Sequence, residues 1–238
     1  MEKLLRGYAS PGTELDLCYP DDFAGSRVFQ RMGEQSVLTG LHHALETPAL
    51  VRKIVWAQVQ GYDAVVQSNT FDPGVEAGRL AVGIPVVGLF RTSLHVATTL
   101  ATRVGVMVPL DGHVPYTWRL INGYAMDRFV TSVRPIQVYG QDLVSRREEI
   151  ESLAVAVMKE QVERDGAEII IPLGGALIPY VVSPESLSRQ VGVPVLNTKS
   201  VGIRFAETCV AMGISQSGAA YPRADLSLDD FDGHAAAR

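Results

Sequence analysis

Cysteine is nearly absent from this 238-residue chain, which has only Cys18 and Cys209, far apart. Two thiols exclude a disulfide framework and a cysteine-rich zinc site. Their default setting is a reducing, cytoplasmic one. Basic charge is also short. With 21 Lys and Arg against 26 Asp and Glu, the formal net charge is −5. That argues against nucleic acid or an anionic membrane as partner, since both need clustered cations. The one dense basic spot, Arg146-Arg147, is followed by Glu148-Glu149 and reads as a solvated helix start. No apolar run reaches bilayer length, and the first residues lack the pattern of a secretory leader. No visible motif requires a metal, nucleotide or other cofactor. His42-His43 are neighbours that point apart on a helix and read as surface histidines.

What the chain does have is a duplication. GYDAVVQSNTFDPGVEAGRLAVGIPVVGLFRTSLHVATTLA starts at Gly61, and GAEIIIPLGGALIPYVVSPESLSRQVGVPVLNTKSVGIRFAE starts at Gly166. Each copy is a Gly-x-acid lead-in, an apolar β-branched run, a polar or glycine-rich turn, a helix, a Gly-Ile/Val-Pro-Val strand and another helix. Around the copies, ELDLCY alternates as a strand does, and RVGVMVPL and TSVRPIQV read as further strands. Helices are expected from Thr47, with Pro48 at its first turn, from Val75 to Ala81, from Ser93 to Ala101, after Pro115, and from Ser145 to Arg164. Ser36 or Thr39 is a candidate cap. The tail after Gly218 reads as loosely packed.

Apolar strands alternating with amphipathic helices give an α/β class with parallel sheets. The duplication arranges them as two similar Rossmann-like lobes about a pseudo-two-fold axis, with a ligand cleft between. The expected division is residues 1–105 plus 205–238 for the first lobe and 106–204 for the second. In such sheets ligands sit at the carboxyl ends of the strands. That rule selects Ser68, Asn69, Thr70 and Asp72, then Arg91, then Asp111 and His113. It also selects Gly174 and Gly175, and then Thr198 and Lys199.

The pieces GYDAVVQSNTFDPG, GIPVVGLFRTSLHVA, GVMVPLDGHVP, GAEIIIPLGG and GVPVLNTKSVGIRFAE, with the closing MGISQSGAAYP, stand in one order from Ser10 to Pro222. Together they resemble the aspartate/glutamate racemase superfamily, in particular its hydantoin racemase branch. The resemblance implies proton abstraction beside a carbonyl by two facing cysteines, one per lobe. It also implies a small anionic or ureide substrate and a homo-oligomer. This chain departs from the pattern at both thiols, with Asn69 at the first turn and Gly174 or Gly175 at the second. The threonine pair the pattern places after the middle strand is Val108-Pro109 here. The family pattern opens with a strand before the first helix, and this sequence begins inside that helix; if Met1 is the true start, the first-lobe sheet is expected to lack a central strand, while a start at an internal Met or a truncation stands equally open.

Asn and Gly carry no proton near neutral pH, so the two-thiol mechanism is disallowed. A polar cradle remains: Asn69, Ser68, Thr70 and the backbone N–H groups of Gly174 and Gly175, which can hold a carboxylate or oxyanion. Gly174-Gly175 read equally well as a tight turn. Asn69, His113 and Asp72 are the catalytic candidates, with Ser68, Thr70, Arg91, Asp111, Gly174, Gly175, Thr198 and Lys199 as binding residues. Asp72 also fits a turn or cap, His113 an exposed loop, and Lys199 or Arg91 a surface ion pair. Cys18 and Cys209 read as buried structural thiols. The first reading is an enzyme on a small carboxylate or cyclic ureide, of lyase or hydrolase type with oxyanion stabilisation. The alternatives are an isomerase with a non-cysteine acid–base pair and a non-catalytic ligand-binding protein on the same fold.

Overall fold

The computed structural model describes residues 1–20, 40–140 and 142–231. A short α1 (Glu2–Arg6) and the long α2 (Leu41–Val59) precede β1 (Val65–Gln67), α3 (Val75–Ala81), β2 (Val86–Gly88) and α4 (Leu89–Leu100). Then come β3 (Val104–Val108), α5 (His113–Gly123), β4 (Val130–Pro135), α6 (Arg147–Glu163) and β5 (Ile169–Pro172). The order closes with α7 (Pro184–Val191), α8 (Thr198–Met212) and a 3-10 turn at Leu228–Asp230. The α/β class with parallel sheets is what the sequence pattern calls for.

The strands form two parallel sheets, β1-β2 and β4-β3-β5. In the first, Val65 lies opposite Val86 and Gln67 opposite Gly88. In the second, β3 is central and wholly buried, and a single bridge from Ile170 to Val195 extends the edge of β5. Its unbroken apolar composition follows from helices on both faces. On one side α6 places Ile150, Ala154 and Met158 against Met107 and Ile170. On the other, Phe90, Leu94 and Ala97 of α4 pack on Val104, Val106 and Ile171. A third cluster joins Val51, Ile54 and Val55 of α2 to Val75, Ala81 and Val86. α8 lies close against α4, where a Cβ at Gly202 would run into Leu89. The expected lobe boundary at residue 204 falls inside α8.

Several local expectations are corrected. Residues 14–19 are not a strand, although Leu15 and Leu17 stay more buried than Glu14, Asp16 and Cys18. Pro48 lies inside α2, which begins seven residues earlier, and Thr47 Oγ1 donates to the His43 carbonyl at 2.8 Å in that stretch. α4 starts at Leu89 rather than Ser93, because β2 runs straight into it. Arg91, Thr92 and Ser93 therefore belong to a helix and not a loop. The predicted strand at 193–198 reduces to the bridge at Val195.

As far as Phe231, the described part of the tail is anchored rather than loose. Ala224 N donates to Leu80 O at 2.7 Å, Gln216 Nε2 to Val82 O at 2.7 Å, and Phe231 packs on the α2–α3 cluster. Cys18 is exposed, contrary to its reading as a buried thiol, while Cys209 is buried. Ser36 and Thr39 lie outside the described residues. No described helix is long and apolar enough to cross a membrane.

Candidate active site

The turn after β1 is held by its own side chains. Gln67 Nε2 donates to Pro73 O at 2.8 Å, and Gln67 Oε1 accepts from Asn69 N at 3.0 Å. Asn69 Oδ1 accepts from Phe71 N at 3.0 Å, which leaves the Asn69 amide nitrogen 3.2 Å from His43 Nε2. An amide NH2 only donates, so His43 Nε2 accepts and the ring proton sits on Nδ1, 3.1 Å from the Tyr116 hydroxyl. Burial, with smaller repulsion from His42 and His113, lowers the His43 pKa to about 3, which keeps it neutral. His43 is thus a buried support for Asn69 and not a surface histidine. The His42 ring lies 3.8 Å from it, centre to centre.

The turn after β5 meets the first directly. Gly174 N donates to Thr70 Oγ1 at 2.9 Å, and Thr70 is buried. Gly174 has φ +89°, and a Cβ there would lie 2.6 Å from Pro109 Cγ, so the position takes only glycine. Next to it, a Cβ on Gly175 would lie 2.9 Å from Lys199 Nζ. The amine occupies the space into which a side chain at 175 would project.

Lys199 is placed by α8. Asn197 caps that helix, its Oδ1 accepting from Ser200 N at 3.1 Å, and Lys199 sits in the first turn. Only 4% of Lys199 is exposed. Its Nζ donates to the Ser68 carbonyl and to Ser68 Oγ, the latter at 3.0 Å, and lies 5.7 Å from the centre of the Tyr180 ring. Burial lowers its pKa to about 8. It is therefore not a surface ion pair but a buried amine that loses its proton at about pH 8, well below an ordinary lysine. Thr198 beside it is also buried.

The other candidates are placed elsewhere. Asp72 is buried at φ 55° and caps α4: Oδ1 accepts from Phe90 N at 2.9 Å and Oδ2 from Arg91 N at 2.9 Å. The Tyr124 hydroxyl donates to the same carboxylate at 3.2 Å. Burial raises the Asp72 pKa to about 6, opposed by those hydrogen bonds. The structure supports its reading as a cap. His113 is buried at the start of α5, not exposed in a loop, and its ring stacks on Phe71 at 5.1 Å. Burial lowers its pKa to about 4, so its ring is neutral at neutral pH. Arg91 pairs with Glu76 at 3.2 Å and donates to the Tyr221 hydroxyl at 3.1 Å. Asp111 is exposed in the turn before α5.

Ser68, Asn69, Thr70, Gly174, Gly175 and Lys199 are thus brought together, with Thr198 next to them. The sequence reading missed His43 and Tyr116. Carrying the α2 periodicity back through Pro48, from Val55 and Val51 to Thr47 and His43, would have put His43 on the buried face. Among the described residues, no group of three or more His, Cys, Asp or Glu could hold a metal ion.

A model of the family described as Asp/Glu/Hydantoin racemase matches residues 1–206. The chain belongs to this family. It is 31% identical over 186 residues to the hydantoin racemase of Pseudomonas sp. (strain NS671), covering 78% of this chain and 74% of that one. Allantoin racemase from Klebsiella pneumoniae shares its fold with a TM-score of 0.78 at 22% identity, over 94% of this chain and 87% of that one. Arylmalonate decarboxylase matches with a TM-score of 0.54 at 20% identity, over 74% and 80%. Neither of the two facing turns carries a thiol: one presents the Asn69 amide, and the Lys199 amine is laid over Gly175 in the other.

Proposed function

We propose that this protein is a cofactor-independent isomerase that exchanges the proton next to a carbonyl in a small cyclic ureide, of the hydantoin or allantoin kind. The Lys199 amine carries that proton. The observation behind this reading is the position of Lys199 Nζ, in the space a side chain at Gly175 would fill and beside Ser68. The named relatives support isomerisation over the lyase or hydrolase chemistry expected from the sequence.

The chemistry uses groups already in place. A neutral Lys199 takes the proton from carbon, and the electron pair moves into the adjacent carbonyl as an enolate. The second hydrogen of the Asn69 amide and the Ser68 hydroxyl are donors suited to the developing oxyanion. Lys199, now protonated, returns its proton to carbon, and inversion follows when the planar enolate has turned its opposite face to the same amine. Burial is what makes Lys199 a usable base near pH 8.

The one-sided placement of the amine also fits a second reading. A decarboxylase of arylmalonate type loses CO2 from its substrate and protonates the resulting enolate from one face. Enantiomer-resolved assays in D2O separate the two. Isomerisation puts deuterium into both D- and L-5-substituted hydantoins or allantoin, whereas decarboxylation releases CO2 from an arylmalonate and gives a single-handed product. Isomerisation by neutral Lys199 makes kcat/KM rise with pH through about 8, whereas decarboxylation, which needs the Lys199 ammonium as proton donor, makes it fall; in either case Lys199→Met abolishes turnover without unfolding the protein. Undiminished exchange in Lys199→Met would sink the assignment.

A further inference from the structure

Two buried hydroxyls beside Lys199 are left without a hydrogen bond. Thr198 Oγ1 and Tyr180 Oη are shielded from solvent, and neither meets a partner among the described residues. Thr198 as a whole is only 1% exposed. An unmet hydroxyl in such a place destabilises the fold, because its water is lost and nothing replaces it. Both groups belong to the surroundings of the amine. Thr198 precedes Lys199 in α8, and the Tyr180 ring centre lies 5.7 Å from Nζ.

The helix places Thr198 at the site. Lys199 reaches Ser68, the residue after β1, so α8 starts at the carboxyl end of that strand. Gly202 faces β1, since a Cβ there would lie 3.2 Å from Val66 Cγ1. Residues four apart share a helix face, so Thr198 lies on the face that Gly202 turns to the sheet. One turn of helix rises about 5.4 Å, and two strand residues span about 6.6 Å. Thr198 therefore stands level with Ser68, as Gly202 stands level with Val66.

The same end of α8 has backbone donors to spare. Asn197 Oδ1 takes Ser200 N, and the first bond within the helix runs from Val201 N to Asn197 O at 2.9 Å. The N–H groups of Thr198 and Lys199 come before that bond and have no acceptor inside the helix. The positive end of the helix dipole adds to them. Hydroxyl, amides and dipole all suit an oxygen that accepts hydrogen bonds.

We propose that the first turn of α8, through Thr198 Oγ1 and its unused N–H groups, is the subsite for the second carbonyl oxygen of a ureide ring, the one flanked by two nitrogens. This rests on the isomerase reading, in which Asn69 and Ser68 hold the other carbonyl, beside the carbon that Lys199 deprotonates. A five-membered ureide carries its two carbonyls on either side of one ring nitrogen, so holding both fixes the ring plane against the amine. Tyr180 Oη, able to donate and to accept, serves the ring N–H next to that oxygen. The free fold gives up stability at Thr198 for the sake of binding.

Calorimetric titration of the full chain with racemic 5-benzylhydantoin and its 2-thio counterpart tests this. A racemate is already at equilibrium, so isomerisation of the free ligand adds no heat. Sulfur is a poor acceptor, and the wild type is expected to bind the oxygen compound about five- to tenfold more tightly. Thr198→Val keeps the shape and removes the hydroxyl, and should bring the two affinities together. Thr198→Ser should keep them apart. Without ligand, Thr198→Val should raise Tm by about 2–4 °C, since an unmet polar group is gone. An affinity ratio unchanged by valine would overturn the subsite. So would a lower Tm in that variant, because the hydroxyl would then have its partner in the free fold. A greater loss of phenylmalonate than of hydantoin binding in Thr198→Val would overturn the carbonyl assignment in favour of a carboxylate. The expected ratios without proton exchange at carbon would strike the Lys199 chemistry and not the subsite, whereas exchange with an unaltered ratio would strike the subsite alone.

Discussion

At the scale of single residues, the site depends on how little space Gly175 leaves. A methyl group there would meet Lys199 Nζ at 2.9 Å and Thr70 Cγ2 at 3.5 Å. The long lysine stem can yield, so Gly175→Ala is expected to displace the amine from Ser68 and reduce kcat about tenfold or more, with little change in Tm. Activity equal to wild type would show that the amine need not sit over Gly175. The sequence pointed to both turns, because Asn69 and Gly174-Gly175 stand where the repeated unit changes from strand to loop. The role of Lys199 was not legible. A lysine in the first turn of a helix is usually solvated, and only the approach of Ser68 from a distant segment buries this one. His43 was hidden for another reason: taking Pro48 as the start of α2 left the preceding turn outside the helical face.

At the scale of elements, α4 shows a helix capped from outside its own sequence. Its first N–H groups are satisfied by Asp72, which belongs to the turn after β1, 17 residues before Leu89 in the numbering. Asp72→Ala leaves the Phe90 and Arg91 amides without that acceptor and is expected to cost about 2–4 kcal/mol, read from urea denaturation. The residual folded enzyme should keep its kcat. Loss of kcat at unchanged stability would restore Asp72 to the catalytic set. The β-branched cores of β1, β2, β3 and β5 were legible from composition, since strands buried on both faces need continuous apolar runs. Residues 14–19 carry the same alternation and form no ladder, because pairing is a property of the neighbour as much as of the strand. Sequence pattern gives the face a segment presents but not whether a partner is there to meet it.

At the scale of the whole molecule, the buried titratable groups set a pH range for stability. His43 and His113 have folded pKa values of about 3 and 4, below the roughly 6.5 of an unfolded chain. Their contribution is therefore complete above pH 6.5 and is lost as pH falls towards 4. Asp72 works in the opposite direction between its ordinary value of 3.8 and about 6, where the folded form holds the extra proton. Between pH 6 and 4 the unfolded chain then binds a net one more proton, and stability should fall by about 1.4 kcal/mol per pH unit. Lys199, at about 8 against 10.5, makes stability rise as pH increases through that interval, a gain that Lys199→Met should remove. Denaturant midpoints from pH 4 to 10 test both limbs, and a flat acid limb would contradict the burial of the two histidines.

The unlike turns, an amide at Asn69 and an amine over Gly175, have a consequence for the proposed racemisation. Mirror-image substrates are equal in free energy in water, so their equilibrium ratio is one whatever catalyst joins them. An enzyme whose two faces differ therefore cannot prefer one hand in kcat/KM. The inequality of its faces has to be divided between affinity and turnover, with the enantiomer that binds more tightly converted more slowly once the enzyme is saturated.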